Sequence, residues 1–225
     1  MPDDYQEAGR LQRELAARVV VNGDPTPVRW LVALDASHKR GGNLVAAAVL
    51  WDCRQSCVHE VGLARVDPDT VFPYVPGYLS FREAPVYLAA LAELSQQPEV
   101  LLVDGQGIAH PRRLGIASHL GVHLDLPSIG VAKRPLVGRA AAELETEAGQ
   151  AVPLVHKGET IGWVYRSRTN VKPLYLSPGH RVGLDETLAL VRALPTPTKL
   201  PEPLRQAHRW AGKARREDID GRVTP

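Results

Sequence analysis

Two short apolar runs, Trp30 to Leu34 and Val100 to Val103, each end on an aspartate, Asp35 and Asp104. Runs of this kind read as strands buried on both faces, inside a sheet with parallel neighbours. Such strands present catalysts and ligands beyond their carboxyl ends. If the two lie side by side, two carboxylates converge. Like charges a few ångströms apart repel, so they share a proton or hold a cation, and hard oxygen donors favour magnesium or manganese. The pairing points to metal-dependent phosphoryl transfer. Taken singly, each aspartate also reads as a strand-end cap or a turn former.

A chain of 225 residues, 44% hydrophobic and without visible repeats, can bury one sizeable core. One domain over residues 1–225 is expected, with 213–225 as a flexible C-terminal tail. The first twenty residues lack a continuous apolar core, and no run is long enough to cross a membrane. A cytoplasmic protein without a membrane partner is expected. The net charge of +2 carries no argument for nucleic-acid binding, but its distribution does. Between Leu154 and Leu184 the cations Lys157, Arg166, Arg168, Lys172 and Arg181 face Glu159 alone, and Lys199 to Arg216 is again basic. Such patches can track a phosphate backbone, or can be merely solvated. Cys53 and Cys57, with His59 near, lack a fourth zinc ligand at normal spacing and read as free thiols.

Periodicity predicts a helix over 3–21, ended by Asn22-Gly23-Asp24, and then three strands, Trp30 to Leu34, Leu44 to Trp51 and Val58 to Ala64. The turns between them are Lys39-Arg40-Gly41-Gly42 and Asp52 to Ser56. A helix from about Phe81 to Gln96 leads to the strand ending at Asp104, which can lie parallel to the first by a right-handed crossover. Further helices are expected over Pro111–Gly121, Leu184–Leu194 and Pro203–Arg215, a strand over Ile129–Ala132, and a hairpin from Leu154–His156 to Ile161–Tyr165. A meander followed by alternating helices and strands makes an α/β mixed sheet flanked by helices. Aspartates on its first and fourth strands suggest a ribonuclease-H-like architecture.

In Pro73-Tyr74-Val75-Pro76-Gly77-Tyr78 two prolines stiffen a segment with two aromatics, which could serve as a wedge between bases or simply cover the core. Glu83, just inside the next helix, is either an acid at a helix start or a third carboxylate facing the two aspartates. Asp104-Gly105-Gln106-Gly107-Ile108-Ala109-His110 has glycines where a ligand needs close backbone approach. It lacks the third glycine of a dinucleotide fingerprint, and its backbone groups could meet an extruded base. Lys133 closes a short strand as a point charge for phosphate or a solvated lysine. His208, on the apolar stripe of the last helix, is a core histidine unless it faces the carboxylates.

In this order the motifs Leu34-Asp35, Pro73-Tyr74-Val75-Pro76-Gly77, Phe81-Arg82-Glu83, Val103-Asp104-Gly105-Gln106-Gly107, Gly130-Val131-Ala132-Lys133, Ser177-Pro178-Gly179-His180 and Pro201-Glu202-Pro203 through His208-Arg209 resemble the endonuclease V family, deoxyinosine 3′ endonucleases of DNA repair. The resemblance runs from about Val20 to Ala211. It implies a ribonuclease-H-like fold and magnesium-dependent hydrolysis, with manganese able to substitute. The cut would fall at the second phosphodiester 3′ to hypoxanthine, leaving 3′-hydroxyl and 5′-phosphate ends.

By the same resemblance, Asp35, Asp104 and Glu83 are metal-site carboxylates, His208 is catalytic with Lys133 beside it, and Pro73, Tyr74, Val75 and Pro76 form the strand-separating wedge. Gly77, Leu79, Gly107, His110, Gly115 and Ile116 fall at the base pocket, and Arg82, Lys133 and Lys172 at phosphate contacts. The run Ala36-Ser37-His38-Lys39 departs from the family's usual pattern, and Glu217-Asp218-Ile219-Asp220 has no placed counterpart. The implied partner is DNA containing deoxyinosine, met by a monomer. The alternatives are a same-fold ribonuclease acting on inosine RNA, a non-catalytic nucleic-acid-binding module and a small-molecule phosphatase.

Overall fold

The computed structural model describes residues 4–38 and 43–224, so the expected turn at 39–42, Lys39 and the start of the first helix at residue 3 lie outside the described residues. Helix α1 (Tyr5–Ala16) opens on Asp4, whose carboxylate accepts the Glu7 N–H at 2.7 Å. It stops well short of the expected residue 21. Beyond it the chain is drawn off by tertiary bonds, the Val20 N–H donating to His180 Nδ1 and the Val20 carbonyl accepting from the Arg181 N–H.

Strands β1 (Trp30–His38), β2 (Leu44–Asp52) and β3 (Cys57–Val66) form the expected antiparallel meander. A short 3-10 turn, Pro68–Thr70, precedes α2 (Leu79–Ala92), which ends before Gln96. There the Ser95 and Gln96 N–H groups donate to the buried Glu60 carboxylate instead of continuing the helix. Strand β4 (Val100–Asp104) follows and pairs parallel to β1, with Leu34 opposite Val103, so the two aspartates come next in register. Helix α3 (Ile116–Leu124) starts later than expected, because residues 111–115 are irregular and lead into Gly115. A Cβ at Gly115 would lie 2.2 Å from the Gln106 carbonyl oxygen, so only glycine allows this packing.

Strand β5 (Ser128–Ala132) pairs parallel to β4. The outer sheet is antiparallel: β6 (Arg139–Ala140), β7 (Ala151–His156), β8 (Glu159–Tyr165) and β9 (Leu174–His180). Strand β9 contains the Ser177-Pro178-Gly179 motif, which has the composition of a turn. Pro178, which has no N–H to give, sits at a register shift against β5, where a proline is tolerated. Helices α4 (Leu184–Ala193) and α5 (Glu202–Glu217) complete the framework with β10 (Gly221–Val223).

The expected tail from residue 213 is corrected by this arrangement. Residues 213–217 are the last turn of α5, and β10 pairs with β3 as the edge of the sheet. The acidic segment that follows α5 anchors this edge, because Asp218 and Asp220 both reach the Arg65 guanidinium on β3.

All ten described strands form one sheet in the order β10-β3-β2-β1-β4-β5-β9-β8-β7-β6, the ribonuclease-H-like mixed sheet flanked by helices. Strand parity divides its core. Leu31, Ala33, Val100 and Leu102 pack toward α4 and α5, while Val32, Leu34, Leu101 and Val103 pack toward α2 and α3. With a period of two, Asp35 and Asp104 fall on the α5 side.

Candidate active site

Parity decides which group joins the aspartates. His208, on α5, brings Nδ1 within 2.6 Å of Asp35 Oδ2, and Lys133, one residue past β5, forms an ion pair with Asp104 Oδ2. Single ligand atoms of Asp35, Asp104 and His208 all lie within 4.8 Å of one another, the spacing of a cation site. Glu83, which belongs to α2 on the opposite layer, is not in that trio. It is 8% exposed and lies close enough for its charge to act on both aspartates.

The electrostatics are those of crowded acids. Burial first, and then Asp104, push the Asp35 carboxyl up to about 6 against the opposing pull of Lys133 and His208. Burial, Asp35 and Asp104 push Glu83 up to about 8, with Arg82 opposing. Sites of this kind are poised to take a cation in place of protons. These two carboxyls hold more protons in the folded protein than in the unfolded chain from the ordinary carboxyl range up to about pH 8, so their contribution to metal-free stability falls as pH rises through that window. A divalent cation offsets the repulsion. The rise in Tm on adding magnesium should therefore be larger at about pH 8 than at about pH 5.5, read by calorimetry. Equal rises at both would place the cation elsewhere.

Tyr87, which the motifs did not flag, lies one turn after Glu83 on α2. It is fully buried, bonds the Ala36 backbone, and has its hydroxyl pushed well above the ordinary tyrosine range by burial and then by Glu83 and the aspartates. Its i+4 spacing from Glu83 was the available signal. Burial, with the charges of Lys133 and Lys172, pulls the Lys199 ammonium below the ordinary lysine range against the opposing pull of Asp104. Arg82 is differently occupied, because Nη1 donates to the Phe72 carbonyl at 2.9 Å and braces the loop before α2.

Beside the carboxylates lies a cavity of about 310 Å³, into whose wall both Glu83 and Asp104 reach. Tyr74, Val75 and Pro76 form one lip, with Tyr74 64% exposed, while Pro73 is exposed and outside the wall. Gly77, Leu79, His110, Gly115 and Ile116 line the cavity, together with Gln106, Arg134, Pro135 and Leu136. Burial, and then Arg112, lower His110 to about 4, so it is neutral at pH 7.

Gly107 is not part of the cavity wall. Its N–H donates to Ser177 Oγ at 2.8 Å, and a Cβ there would lie 2.0 Å from the Pro178 carbonyl oxygen. The loop's backbone is largely engaged, since Gly105 and Ile108 also donate to Val131 and Pro178. Backbone donors come from elsewhere. Leu79 and Ser80 open α2 and Ile116 opens α3, and neither helix start has a side-chain cap, whereas the Gly115 N–H already donates to the Gly107 carbonyl.

A larger, open groove of about 730 Å³ runs along α5 past Arg209, Lys213 and Arg216 and meets the aspartates only at His208. Its cations suit a backbone track, and it lacks the acidic groups of the chemistry. Cys53 and Cys57 are free, burial pushes the Cys53 thiol up to about 11, and His59 packs on Trp30 at 4.7 Å. Among the described residues none of these joins a ligand cluster. No described helix is long and apolar enough to cross a membrane.

The family model for Endonuclease V matches residues 13–209. Endonuclease V of Thermus thermophilus is 61% identical over 214 residues, covering 95% of this chain and 94% of that one. The crystal structure of Endonuclease V from Streptomyces avermitilis superposes with a TM-score of 0.90 at 38% identity, over 96% and 95% of the two chains. Ciona intestinalis Endonuclease V (D234N), solved with a 23mer DNA containing an inosine followed by a ribo-adenosine, superposes with a TM-score of 0.83 at 26% identity, over 97% and 100%.

Proposed function

The chain belongs to the endonuclease V family and is a nuclease, and on that premise we propose that it cuts DNA at the second phosphodiester 3′ to deoxyinosine with magnesium as cofactor. One observation carries the reading: the wall that holds Glu83 and Asp104 also holds Tyr74, so a base-sized cavity and the carboxylates share one opening. The relative solved with inosine-containing DNA supports the substrate class.

Two carboxylates on the α5 side fit a hard cation, and the nitrogen of His208 fits it less well. Asp35, Asp104 and Glu83 would hold magnesium, with manganese able to replace it. When bound, the cation would withdraw charge from the scissile phosphate and from the departing 3′-oxygen. His208, fixed by Asp35, and Glu83, ionised once a cation is bound, would orient the attacking water. An oxygen–phosphorus bond forms, the bond to the 3′-oxygen breaks, and 3′-hydroxyl and 5′-phosphate ends result. Lys133, Lys172 and the α5 cations would hold backbone phosphates. Arg82 would act one step removed, through the loop it braces.

Tyr74 would fill the gap left by the extruded base. The cavity would receive hypoxanthine, whose carbonyl replaces the adenine amine and can accept from the N–H groups opening α2 or α3. The chain would act as a monomer in the cytoplasm.

A labelled inosine duplex, incubated with and without magnesium and mapped at its ends, tests the reading. Cutting elsewhere, or equally on adenine controls, would refute it. Tyr74→Ala should weaken inosine-duplex binding by about 1 to 3 kcal/mol, and an unchanged Kd counts against the wedge. Matched inosine RNA belongs in the same assay, because the DNA held by the Ciona relative contains a ribo-adenosine.

A further inference from the structure

Helix α1 turns a polar residue into the interior. Gln12 is 0% exposed and shares its buried stripe with Ala8 and Gly9. A glutamine at such a position is stable only when both ends of its amide are satisfied, and here they are. Nε2 donates to the Gly77 carbonyl at 2.8 Å, and Oε1 accepts from Arg112 Nε. Arg112 closes the triangle by donating from Nη2 to the same Gly77 carbonyl, also at 2.8 Å. One carbonyl on the lip of the base cavity is thus gripped from two sides.

Gly77 holds a φ of +81°, open to glycine at little cost, and it directly follows the segment that carries Tyr74. On its other side Tyr78 packs beneath the Arg112 guanidinium, 4.3 Å from ring centroid to carbon, and begins α2. A free loop of this kind would sample many angles at its tip. A tethered one presents Tyr74 in a single direction.

We propose that Gln12, acting with Arg112, is a positioning residue that fixes the Gly77 carbonyl and so the angle at which Tyr74 enters a duplex. Strand opening depends on this grip, while hydrolysis of an already open strand does not. The proposal rests on the nuclease reading above. Neither residue touches the carboxylates, so the effect falls on how a paired substrate is engaged.

The test compares inosine in a duplex with inosine in a single strand of the same sequence, for wild type, Gln12→Leu, Arg112→Met and the double variant. Gln12→Leu should lower kcat/KM on the duplex by about ten-fold, mainly through KM, and leave the single strand within about two-fold. A 2-aminopurine beside the inosine should brighten less on binding the duplex in calcium. Arg112→Met, at a half-exposed position, should give the same split even if Gln12→Leu folds poorly. The double variant should lose little more than either single one, because both act on one carbonyl. Equal losses on both substrates, or none, overturn the proposal alone. A wild-type protein that cuts neither substrate overturns the nuclease reading and this proposal with it.

Discussion

Asp35→Asn and Asp104→Asn should each reduce cleavage of an inosine duplex by about a thousand-fold or more in saturating magnesium, while leaving the fold intact. The amide keeps the carboxylate's shape and removes the charge a cation needs. The loss should come with a gain. Asp35 is held near pKa 6 by burial and by Asp104, so its charged form is strained in the metal-free protein at neutral pH. Asn at that position relieves the strain, and the variant's Tm without metal should equal or exceed the wild type's, while its rise on adding magnesium shrinks. Gel assays for cleavage and calorimetry with and without cation measure both halves. Full cleavage by either variant refutes the proposed metal site.

Gly107→Ala carries the second large effect, on stability. The added Cβ would meet the Pro178 carbonyl oxygen at 2.0 Å and the Ser177 carbonyl oxygen at 2.8 Å, both backbone atoms of a buried strand that cannot swing aside. Overpacking of this kind should destabilise by about 3 kcal/mol, or roughly 6 to 12 °C in Tm for a chain of this size. The preference for inosine over adenine should survive in the folded fraction. A variant of unchanged Tm and altered base preference would return Gly107 to the cavity wall.

That glycine illustrates where reading the chain reaches its limit. A glycine after Asp104 signals close approach of something, but the pattern does not say whether that something is a ligand or the chain itself. Here it is β9, in which Ser177-Pro178-Gly179 lies inside the strand despite its turn-like composition. Arg82 poses the same ambiguity. A cation beside a catalytic acid suits phosphate, yet its guanidinium is taken by the Phe72 carbonyl, a partner ten positions away that no motif marks. Element ends were misjudged where tertiary bonds outcompeted helix propensity, as at Glu60 for α2 and His180 for α1. The last segment reads as a tail along the chain, because the Arg65 that holds Asp218 lies 153 positions upstream.

The apolar runs and their terminal aspartates were legible from the chain alone, because strand periodicity and carboxylate chemistry are properties of a few adjacent residues. So was the stiff aromatic lip, since proline restricts its own backbone wherever it stands. Only the folded molecule decided that His208, 173 positions from Asp35, completes the trio while Glu83 stands behind it. That choice follows from which face of the sheet each helix covers, and a helix's own sequence specifies that it has an apolar stripe without specifying which strands will bury it.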